Sequence, residues 1–317
     1  MRDYIVRRLL LLPVIILGVT LMTFLAYRII PGNAADLTCG IDRDPQCKEK
    51  VEELYGLDRA WYVQYGDWLL DAAQGDLGTS LLYRTAVTTE LERRIPVTLE
   101  LLVLTIIIAL GIGLPIGILS AIRPSTPADW LSRFMSVLFL SVPSFYLGIL
   151  MITFGLLWFG WTPPQFGRGY VPFYDDPWIN IQQFFFPSLV LALGESAVLM
   201  RLTRSSMLEV LRNDYIRTAW AKGLRERSVV WRHALKNAII PIITVIGLQI
   251  GGLLGGAVII ESLYNLNGTG KYVLESILRR DIFVVQTLTM LFAVSYVGAN
   301  LAVDIAYAWF DPRIRYA

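Results

Sequence analysis

The sequence predicts an all-α polytopic membrane protein, and three observations support this fold class. The 317-residue chain is 55% hydrophobic and 17% charged, whereas a soluble chain carries roughly a quarter charged residues. Its apolar residues are concentrated in uncharged stretches that exceed the ~18 residues of a membrane-spanning helix. These stretches are continuous and do not alternate, which disfavours a β-barrel. The composition excludes an ordinary soluble enzyme, a disordered chain and a disulfide-dense mini-protein.

We expect six transmembrane helices, each able to cross a hydrocarbon core of ~30 Å at about 1.5 Å per residue. The fourth helix needs flanking residues to span the hydrocarbon core. A carboxylate interrupts two of the spans: Glu195 in the fourth and Asp304 in the sixth. The predicted spans are residues 9–30, 97–122, 134–160, 187–200, 237–260 and 282–307.

Lys and Arg residues are concentrated on one side of these spans. Nine of them lie in the connection 201–236, and others flank the first span, the second connection and the C-terminal tail 311–317. The opposite side carries residues 31–96, which contain twelve acidic and seven basic residues. The positive-inside rule makes the basic side cytoplasmic. We therefore predict that both termini are cytoplasmic.

Residues 31–96 are expected to form a small helical exterior segment after the first span. Helices are predicted over residues 47–55 and 59–73, followed by a Gly-Asp-Leu-Gly turn at 75–78. One face of the second helix is expected to carry Tyr62, Tyr65, Trp68 and Leu69. The segment either caps the helix ends or serves as a lid or docking surface for a partner outside the cell.

No motif for covalent chemistry is present in the sequence. The Gly-Thr-Gly-Lys run at 268–271 lacks the glycine spacing of a phosphate loop. A single histidine, His233, and two cysteines cannot build a Ser/His/Asp constellation or a four-thiolate metal site. The charge balance shows no nucleic-acid footprint. We therefore expect a transport protein that is not an enzyme and binds no metal or cofactor.

The cytoplasmic connection 201–236 is longer than the about 2–8 residues usual between bundled helices. Residues 215–222 are helix-forming, Gly223 is expected to end this helix, and a helical pattern resumes over 228–238. Two short helices hinged at a glycine would form a rigid knob. The alternative is a solvated basic loop that only fixes the topology.

Two blocks in this connection resemble the coupling loop of ABC importer permeases. They are R-T-A-W-A-K-G-L at 217–224 and R-H-A-L-K-N-A at 232–238, and they are most similar to the peptide/nickel branch. The wider importer pattern, E-A-A-x3-G-x9-I-x-L-P, is met only in part, and the departures match the peptide branch. Further blocks resemble the B-type permease subunit over essentially the whole chain: Y-G-L-D at 55–58, G-D-L-G-T-S at 75–80, P-V-T-L-E-L at 96–101 and D-P-R-I-R at 311–315.

The resemblance implies a type I ABC importer permease in a bacterial or archaeal cell membrane. Such a permease forms half of a heterodimeric pore with a C-type subunit. Two cytosolic ATPase subunits would bind ATP and magnesium, and an exterior binding protein would deliver a dipeptide, oligopeptide, nickel chelate or oligosaccharide. The chain then divides into residues 1–30, the exterior segment 31–96, the permease core 97–310 with its coupling loop, and the tail 311–317.

The resemblance also implies a set of ATPase-coupling residues. The knob is expected to centre on Ala219, Lys222, Gly223 and Leu224, with Ala219 small enough to let a partner surface approach. The full set is Tyr215, Arg217, Thr218, Ala219, Lys222, Gly223, Leu224, Arg232 and His233.

The fifth span is expected to pack at the subunit interface, because small residues at four-residue spacing let backbones approach closely. One face carries Gly247, Gly251 and Gly255, and a neighbouring face carries Gly252 and Gly256. An ordinary contact within the subunit is the alternative for either face. Glu195 is a candidate for the polar wall of the pathway, since ionisable residues inside a membrane are functional candidates.

Two other classes of function stay open from the residues alone. A secondary transporter or channel driven by an ion gradient would use Glu195 and Asp304. No inverted repeat is visible, however, and the cytoplasmic knob would have no role there. A purely structural membrane scaffold would leave the polar residues of the spans unexplained.

Both cysteines, Cys39 and Cys47, fall in the exterior segment. Exterior compartments are oxidising enough to keep a disulfide, and the turn-prone residues between the two cysteines allow the chain to close a short loop. We predict a disulfide that pins the start of the exterior segment. Two free thiols are the alternative.

Overall fold

The computed structural model describes residues 2–29, 46, 49–50, 53, 56, 58–81, 83–164 and 169–310, and these residues are almost entirely helical. Cys39 and Cys47 lie outside the described residues, as does most of the helix expected over 47–55. The helices are α1 (Arg2–Ile29), α2 (Trp61–Ala73), α3 (Val87–Ile122), α4 (Pro127–Ser141), α5 (Ser144–Phe159), α6 (Pro177–Leu211), α7 (Asp214–Ala221), α8 (Glu226–Tyr264), α9 (Thr269–Leu278) and α10 (Ile282–Phe310).

Five of these helices are long and apolar enough to cross a membrane: α1, α3, α6, α8 and α10. The helices α4 and α5 complete the set to six if they form one span, but they meet at an angle of 96°. The expectation of one continuous span over 134–160 is therefore wrong. Pro143 explains the break, because proline lacks a backbone donor and pushes the preceding residue out of helical conformation. Val142 is accordingly extended, with ψ 120°.

Two spans are longer than the apolar stretches that predicted them. The helix α3 begins at Val87, ten residues before the predicted start. Its first turns carry charged residues, so a search for apolar stretches does not include them. There Arg94 Nε lies 3.0 Å from Glu90 Oε2, an ion pair across one helical turn. The helix α6 includes the predicted residues 187–200 but continues to Leu211, so the first part of the basic connection is helical.

The chain forms two compact units, and the first comprises Leu99–Leu266 with Ala299–Ala317. Within it α6 packs against α4, α5 and α8. Its core includes Ala109, Ala192, Leu199 and Ile242, which come from α3, α6 and α8. Small residues in this core let long apolar helices lie side by side.

Two glycines of α3, which the sequence interpretation passed over, allow α6 to approach closely. A Cβ on Gly113 would lie 2.7 Å from Leu199 Cβ, and one on Gly117 would lie 2.6 Å from Thr203 Cβ. Both distances are below normal van der Waals contact, so only glycine fits at either position. The signal was present as a G-x-x-x-G motif at 113–117.

The second unit comprises Arg2–Thr98 and Asn267–Gly298. In it α2 packs on α1, where the hydroxyls of Tyr65 and Thr20 share a 2.9 Å hydrogen bond. Trp68 is buried, but Tyr62 is 64% exposed, so the expected four-residue apolar face of α2 does not include Tyr62.

The helix α9 was not predicted, and its N-terminus begins in the Gly-Thr-Gly-Lys run. The N–H of Thr269 donates to Thr98 Oγ1 at 2.8 Å. Ser80 Oγ donates to Asp281 Oδ2 at 2.6 Å, and both side chains are fully buried. The first bond ties α9 to α3, and the second ties the start of α10 to the segment that leads into α3.

Candidate functional site

The short helix α7 ends at a glycine. Gly223 has φ +75°, a left-handed conformation that residues with a Cβ rarely adopt. Its N–H donates to the carbonyl of Trp220 at 2.9 Å, and the N–H of Leu224 donates to the carbonyl of Ala219 at 3.4 Å. Together these bonds form a Schellman cap. The glycine stop predicted from the sequence is present, and the chain then continues directly into α8.

One face of α7 is buried in an apolar cluster that joins it to α3, α6 and α8; we call this the α7 cluster. Ile216 is fully buried and Ala219 is 6% exposed. The other buried members are Ile118, Ala121, Met207, Val229, Val230, Ala234 and Ala238. The expectation that Ala219 faces a partner is therefore wrong. Its small side chain lets α7 approach the chain's own helices.

Four large apolar side chains in and after α7 are nevertheless exposed, and we call this group the coupling face: Tyr215 and Trp220 on α7, Leu224 after its end and Trp231 on α8. They are 43%, 46%, 36% and 53% exposed, respectively. Asn237 Nδ2 donates to the Tyr215 hydroxyl at 2.9 Å, which holds this ring against α8. Exposed aromatic rings are favoured at the centre of protein–protein contacts. The coupling face is thus suited to docking another protein.

The polar and charged residues predicted for coupling lie in the same segment of the chain. Arg217, Thr218, Lys222 and Arg232 are exposed, and His233 is half-buried. Arg217 Nη1 lies 3.2 Å from Asp214 Oδ1, but both side chains are exposed, and such ion pairs contribute little stability. These charges are therefore available for recognition. Trp220 and Trp231 were missed as site residues, although tryptophan in a charged segment outside the spans is a usable signal.

The start of α8 is π-helical over Val229–Ala234. Such a stretch adds a residue per turn and changes which side chains share a face. Here it places Val229 and Val230 in the α7 cluster, while Trp231 is directed to solvent. The irregular turn thus lets one short segment supply both the anchor and the exposed ring.

A buried ionic network lies beside the α7 cluster. Asp129, 1% exposed, accepts from Arg204 Nε at 2.7 Å and from Arg204 Nη2 at 3.1 Å. It also accepts from Ser120 Oγ at 2.5 Å and from the Ser125 N–H at 3.0 Å. These residues lie on α3, α4, α6 and the turn between α3 and α4. The network therefore joins the ends of the helices on which α7 rests.

Glu195 lies on α6 in a narrow cleft with residues of α3 and α8. The lining residues are Ile106, Ala109, Leu110, Glu195, Leu199, Ile246, Gln249 and Leu253. No hydrogen bond or ion pair is found for the Glu195 carboxyl within the described part of the chain. Gln249 places a buried amide nitrogen without a partner among the described residues in the same cleft. The two polar groups share an otherwise apolar wall.

The glycines of α8 do not divide into the two expected faces. A Cβ on Gly247 would collide with Val303 of α10, and one on Gly256 would lie 3.2 Å from Leu191 of α6. Gly252 and Gly255 are exposed, with no described atom within 4 Å of a built Cβ. Each predicted face thus contains one glycine packed inside the chain and one that is open. The open pair, Gly252 and Gly255, is available to a second subunit.

Two family profiles match the chain. The profile described as "Binding-protein-dependent transport system inner membrane component" matches residues 113–316. The profile described as "Binding-prot-dependent transport system membrane comp, N-term" matches residues 1–102. Between them they leave only a short stretch of the chain unmatched.

Relatives that match over their full length are permease proteins. The chain is 40% identical to the dipeptide transport system permease protein DppB of Alkalihalophilus pseudofirmus, over all of both chains. It is 39% identical to the oligopeptide transport system permease protein AppB of Bacillus subtilis and 38% identical to the glutathione transport system permease protein GsiC of Escherichia coli. Both of those matches also cover each chain completely.

Solved structures share the fold. An inward-facing MetNI methionine ABC transporter matches with a TM-score of 0.56 and 18% identity, over 71% of this chain and 97% of that chain. An amino acid ABC transporter crystallised with histidines matches with a TM-score of 0.54 and 16% identity, over 70% and 94% of the two chains. The helical architecture is therefore that of type I ABC importer permeases.

Proposed function

Because the chain belongs to the family of binding-protein-dependent transport system inner membrane components, we propose that it is the B-type permease subunit of an importer for short peptides. Its full-length relatives are named for dipeptides, oligopeptides and glutathione, which are all peptides. As a multi-pass protein of the bacterial inner membrane, it forms part of the translocation pathway. The family does not favour a transporter or channel driven by an ion gradient.

The proposal includes four kinds of partner. A second, C-type permease subunit completes the pore, and two ATPase subunits dock on the cytoplasmic side, where they bind ATP and magnesium. A substrate-binding protein delivers the peptide from outside. The Lys and Arg residues of 201–236 support a cytoplasmic location for α7 and both termini. The open pair Gly252 and Gly255 supports a close helix contact with the second permease subunit.

The two faces of α7 explain how such a subunit transmits force. An ATPase seated on the coupling face would contact Trp220 and Leu224, while the buried face moves with α3, α6 and α8 through the α7 cluster. Two of these helices carry Glu195 and Gln249 in the intramembrane cleft. A displacement of α7 therefore reaches the pathway wall. ATP drives transport only because the ATPase pair binds one permease state more tightly than the other.

The observation that carries this proposal is that Ile216 and Ala219 anchor α7 in the chain's own core, while the neighbouring rings of Tyr215 and Trp220 stay exposed. We expect Trp220→Ala, assayed in the complete transporter in proteoliposomes, to lower ATP hydrolysis stimulated by binding protein and peptide by about tenfold, since a buried aromatic contact dominates an interface. The two permease subunits should still assemble in the membrane, because Trp220 is not part of the α7 cluster.

Trp178→Ala is the matched control, because Trp178 is 68% exposed at the opposite end of α6. It should keep the stimulated rate. Stimulation of the Trp220→Ala transporter at the wild-type level would contradict the proposed docking role. Peptide uptake that is independent of ATP and binding protein would contradict the importer function itself.

A further inference from the structure

The helix α4 has polar side chains on its inner side and apolar side chains on its outer side. Asp129, Ser132 and Ser136 are 1%, 5% and 1% exposed. A helix of a soluble domain has the opposite arrangement. The proposed function gives the outer side no role, and we call its large exposed side chains the α4 face: Trp130, Leu131, Phe134, Val137, Leu138 and Leu140.

Two contacts place the inner side of α4 against the end of α6 that leads into the basic connection. Asp129 accepts from Arg204 Nε at 2.7 Å, and Ser136 Oγ lies 3.4 Å from Met200 Sδ. The helix α5, which follows the 96° bend, has 16 residues and is therefore about 24 Å long. It can cross most of a ~30 Å hydrocarbon core by itself. The helix α4 therefore lies in the leaflet at the basic end of α6, which is the cytoplasmic leaflet in the proposed orientation.

The beginning of the α4 face carries a guanidinium that is not neutralised among the described residues. Arg133 Cζ lies 4.0 Å from the centre of the Trp130 ring, a cation–π contact. Arg133 Nε is 3.9 Å from Asp129 Oδ1, but that carboxylate already binds Arg204 at 2.7 Å. The Arg133 side chain is 43% exposed, and its terminal nitrogens donate no hydrogen bond within the described part of the chain. They are free to bind an anion.

A second guanidinium follows the last residue of α3, at the turn into α4. It belongs to Arg123, which is exposed and has no ion pair in the described structure. Residues 123–141 contain a single carboxylate, the buried Asp129. The exposed surface around the start of α4 is therefore positive, and it favours a group with negatively charged oxygens, which guanidinium binds strongly.

The size of the exposed side chains favours lipid over another helix. Helix contacts inside a membrane are rich in small residues, and α4 has placed Ser132 and Ser136 on its inner side. The α4 face carries large apolar side chains beside two cations. A soluble anion would match only the cations, and an uncharged lipid only the apolar side chains. An anionic phospholipid matches both, because its headgroup is negative and its acyl chains are apolar.

We propose that the α4 face binds an anionic phospholipid of the cytoplasmic leaflet, with its headgroup at Arg133 and Arg123 and its acyl chains along Phe134. The Trp130 ring, 62% exposed, lies between headgroup and chains, at the depth that tryptophan favours in membranes. The inference goes beyond the proposed function and is independent of the solute that is transported.

The test is photo-crosslinking in the complete transporter, reconstituted into phosphatidylcholine nanodiscs with a trace of a lipid that carries a diazirine in its acyl chain. The probe lipid is either phosphatidylglycerol or phosphatidylcholine, and labelled peptides are located by mass spectrometry. We expect phosphatidylglycerol to label α4 at least about fivefold more, since one guanidinium near a membrane surface favours an anionic lipid by about that factor. The helix α5 has no charged side chain and should be labelled equally by both probes.

Two outcomes overturn the proposal. Equal labelling of α4 by the two probes would show contact with lipid chains without recognition of the headgroup. Absence of label from α4 with either probe, while α5 is labelled, would show that another subunit covers the α4 face. Neither measurement needs ATP or peptide, so the result does not depend on the importer function.

Variants assign the preference to the two cations. Arg133→Gln should lower the ratio of the two labelling yields at least about twofold, and Arg123→Gln/Arg133→Gln should bring it close to one. Arg133 approaches Asp129 only at 3.9 Å, so its replacement leaves the Asp129–Arg204 pair intact. Arg227→Gln, which removes the same charge from an exposed position outside α4, should keep the wild-type ratio. A wild-type ratio in the double variant refutes the site.

Discussion

Replacing Asp129 by asparagine should destabilise the first unit, because it removes the charge at the centre of the buried network. The new amide side chain would keep the shape and one acceptor for Ser120. Arg204, however, would lose its paired contacts of 2.7 Å and 3.1 Å to the two carboxylate oxygens. The ends of α4 and α6 would then be held together less firmly.

The size of the effect follows from the burial of the two partners. Breaking a fully buried ion pair costs about 3–5 kcal/mol, mainly because one charge stays buried without its partner. The Asp129 side chain is 1% exposed, but that of Arg204 is 25% exposed, so water partly solvates the abandoned guanidinium. We therefore expect the free energy of unfolding to fall by about 2–3 kcal/mol.

The assay is reversible unfolding of the purified chain in mixed micelles, followed by circular dichroism. Arg217→Gln is the matched control, because it removes an ion pair whose side chains are 75% and 93% exposed, and it should cause no measurable change. The double variant Asp129→Asn/Arg204→Gln should be less destabilised than the sum of the single variants. A loss below about 0.5 kcal/mol for Asp129→Asn, or strict additivity, would refute the reasoning.

Four further outcomes are expected. Gly223→Val should destabilise the α7 turn by about 1–2 kcal/mol, because valine resists positive φ, and should lower substrate-stimulated ATPase activity without preventing membrane insertion. Gly247→Leu should lower the thermal stability of the isolated chain, whereas Gly252→Leu should leave it unchanged and prevent co-purification of the second permease subunit. A cysteine introduced at Ser125 in a cysteine-free background should resist impermeant thiol reagents added to intact cells; labelling would overturn the topology. The two native cysteines should add no alkyl groups when the denatured, unreduced protein is alkylated and weighed, and two adducts would exclude the disulfide.

The long apolar spans could be predicted from the sequence because they depend on composition along the chain alone. The bend between α4 and α5 could not be predicted from hydropathy, because a mean over a window of residues says nothing about the direction of the helix axis. Its local cause was nevertheless visible, since Pro143 restricts Val142 in any fold. The early start of α3 was missed for a related reason: Glu90 and Arg94 are helical but not apolar, so an apolar window excludes them.

In the candidate site, too, features that depend on the local sequence could be predicted, and features that depend on distant residues could not. The helix α7 and its stop at Gly223 depend on local conformation, so the sequence predicts both. The exposure of single side chains could not be predicted, because Ile216 and Trp220 are four positions apart and share one side of α7, yet Ile216 is fully buried and Trp220 is 46% exposed. Only the neighbouring helices decide which of the two is covered. For that reason the sequence alone does not show that Ala219 faces inward, nor that Asp129 meets a partner 75 positions away.

The geometry of α7 favours movement as a rigid body over detachment. Pulling α7 away from the bundle would expose Ile216 and Ala219, which costs roughly 2–3 kcal/mol at about 25 cal/mol per Å² of apolar surface. Moving α7 together with the ends of α3, α6 and α8 exposes none of this surface. The Asp129–Arg204 pair adds a further cost to separating α4 from α6. A force applied at Trp220 is therefore resisted locally and passed to the helices that carry Glu195 and Gln249.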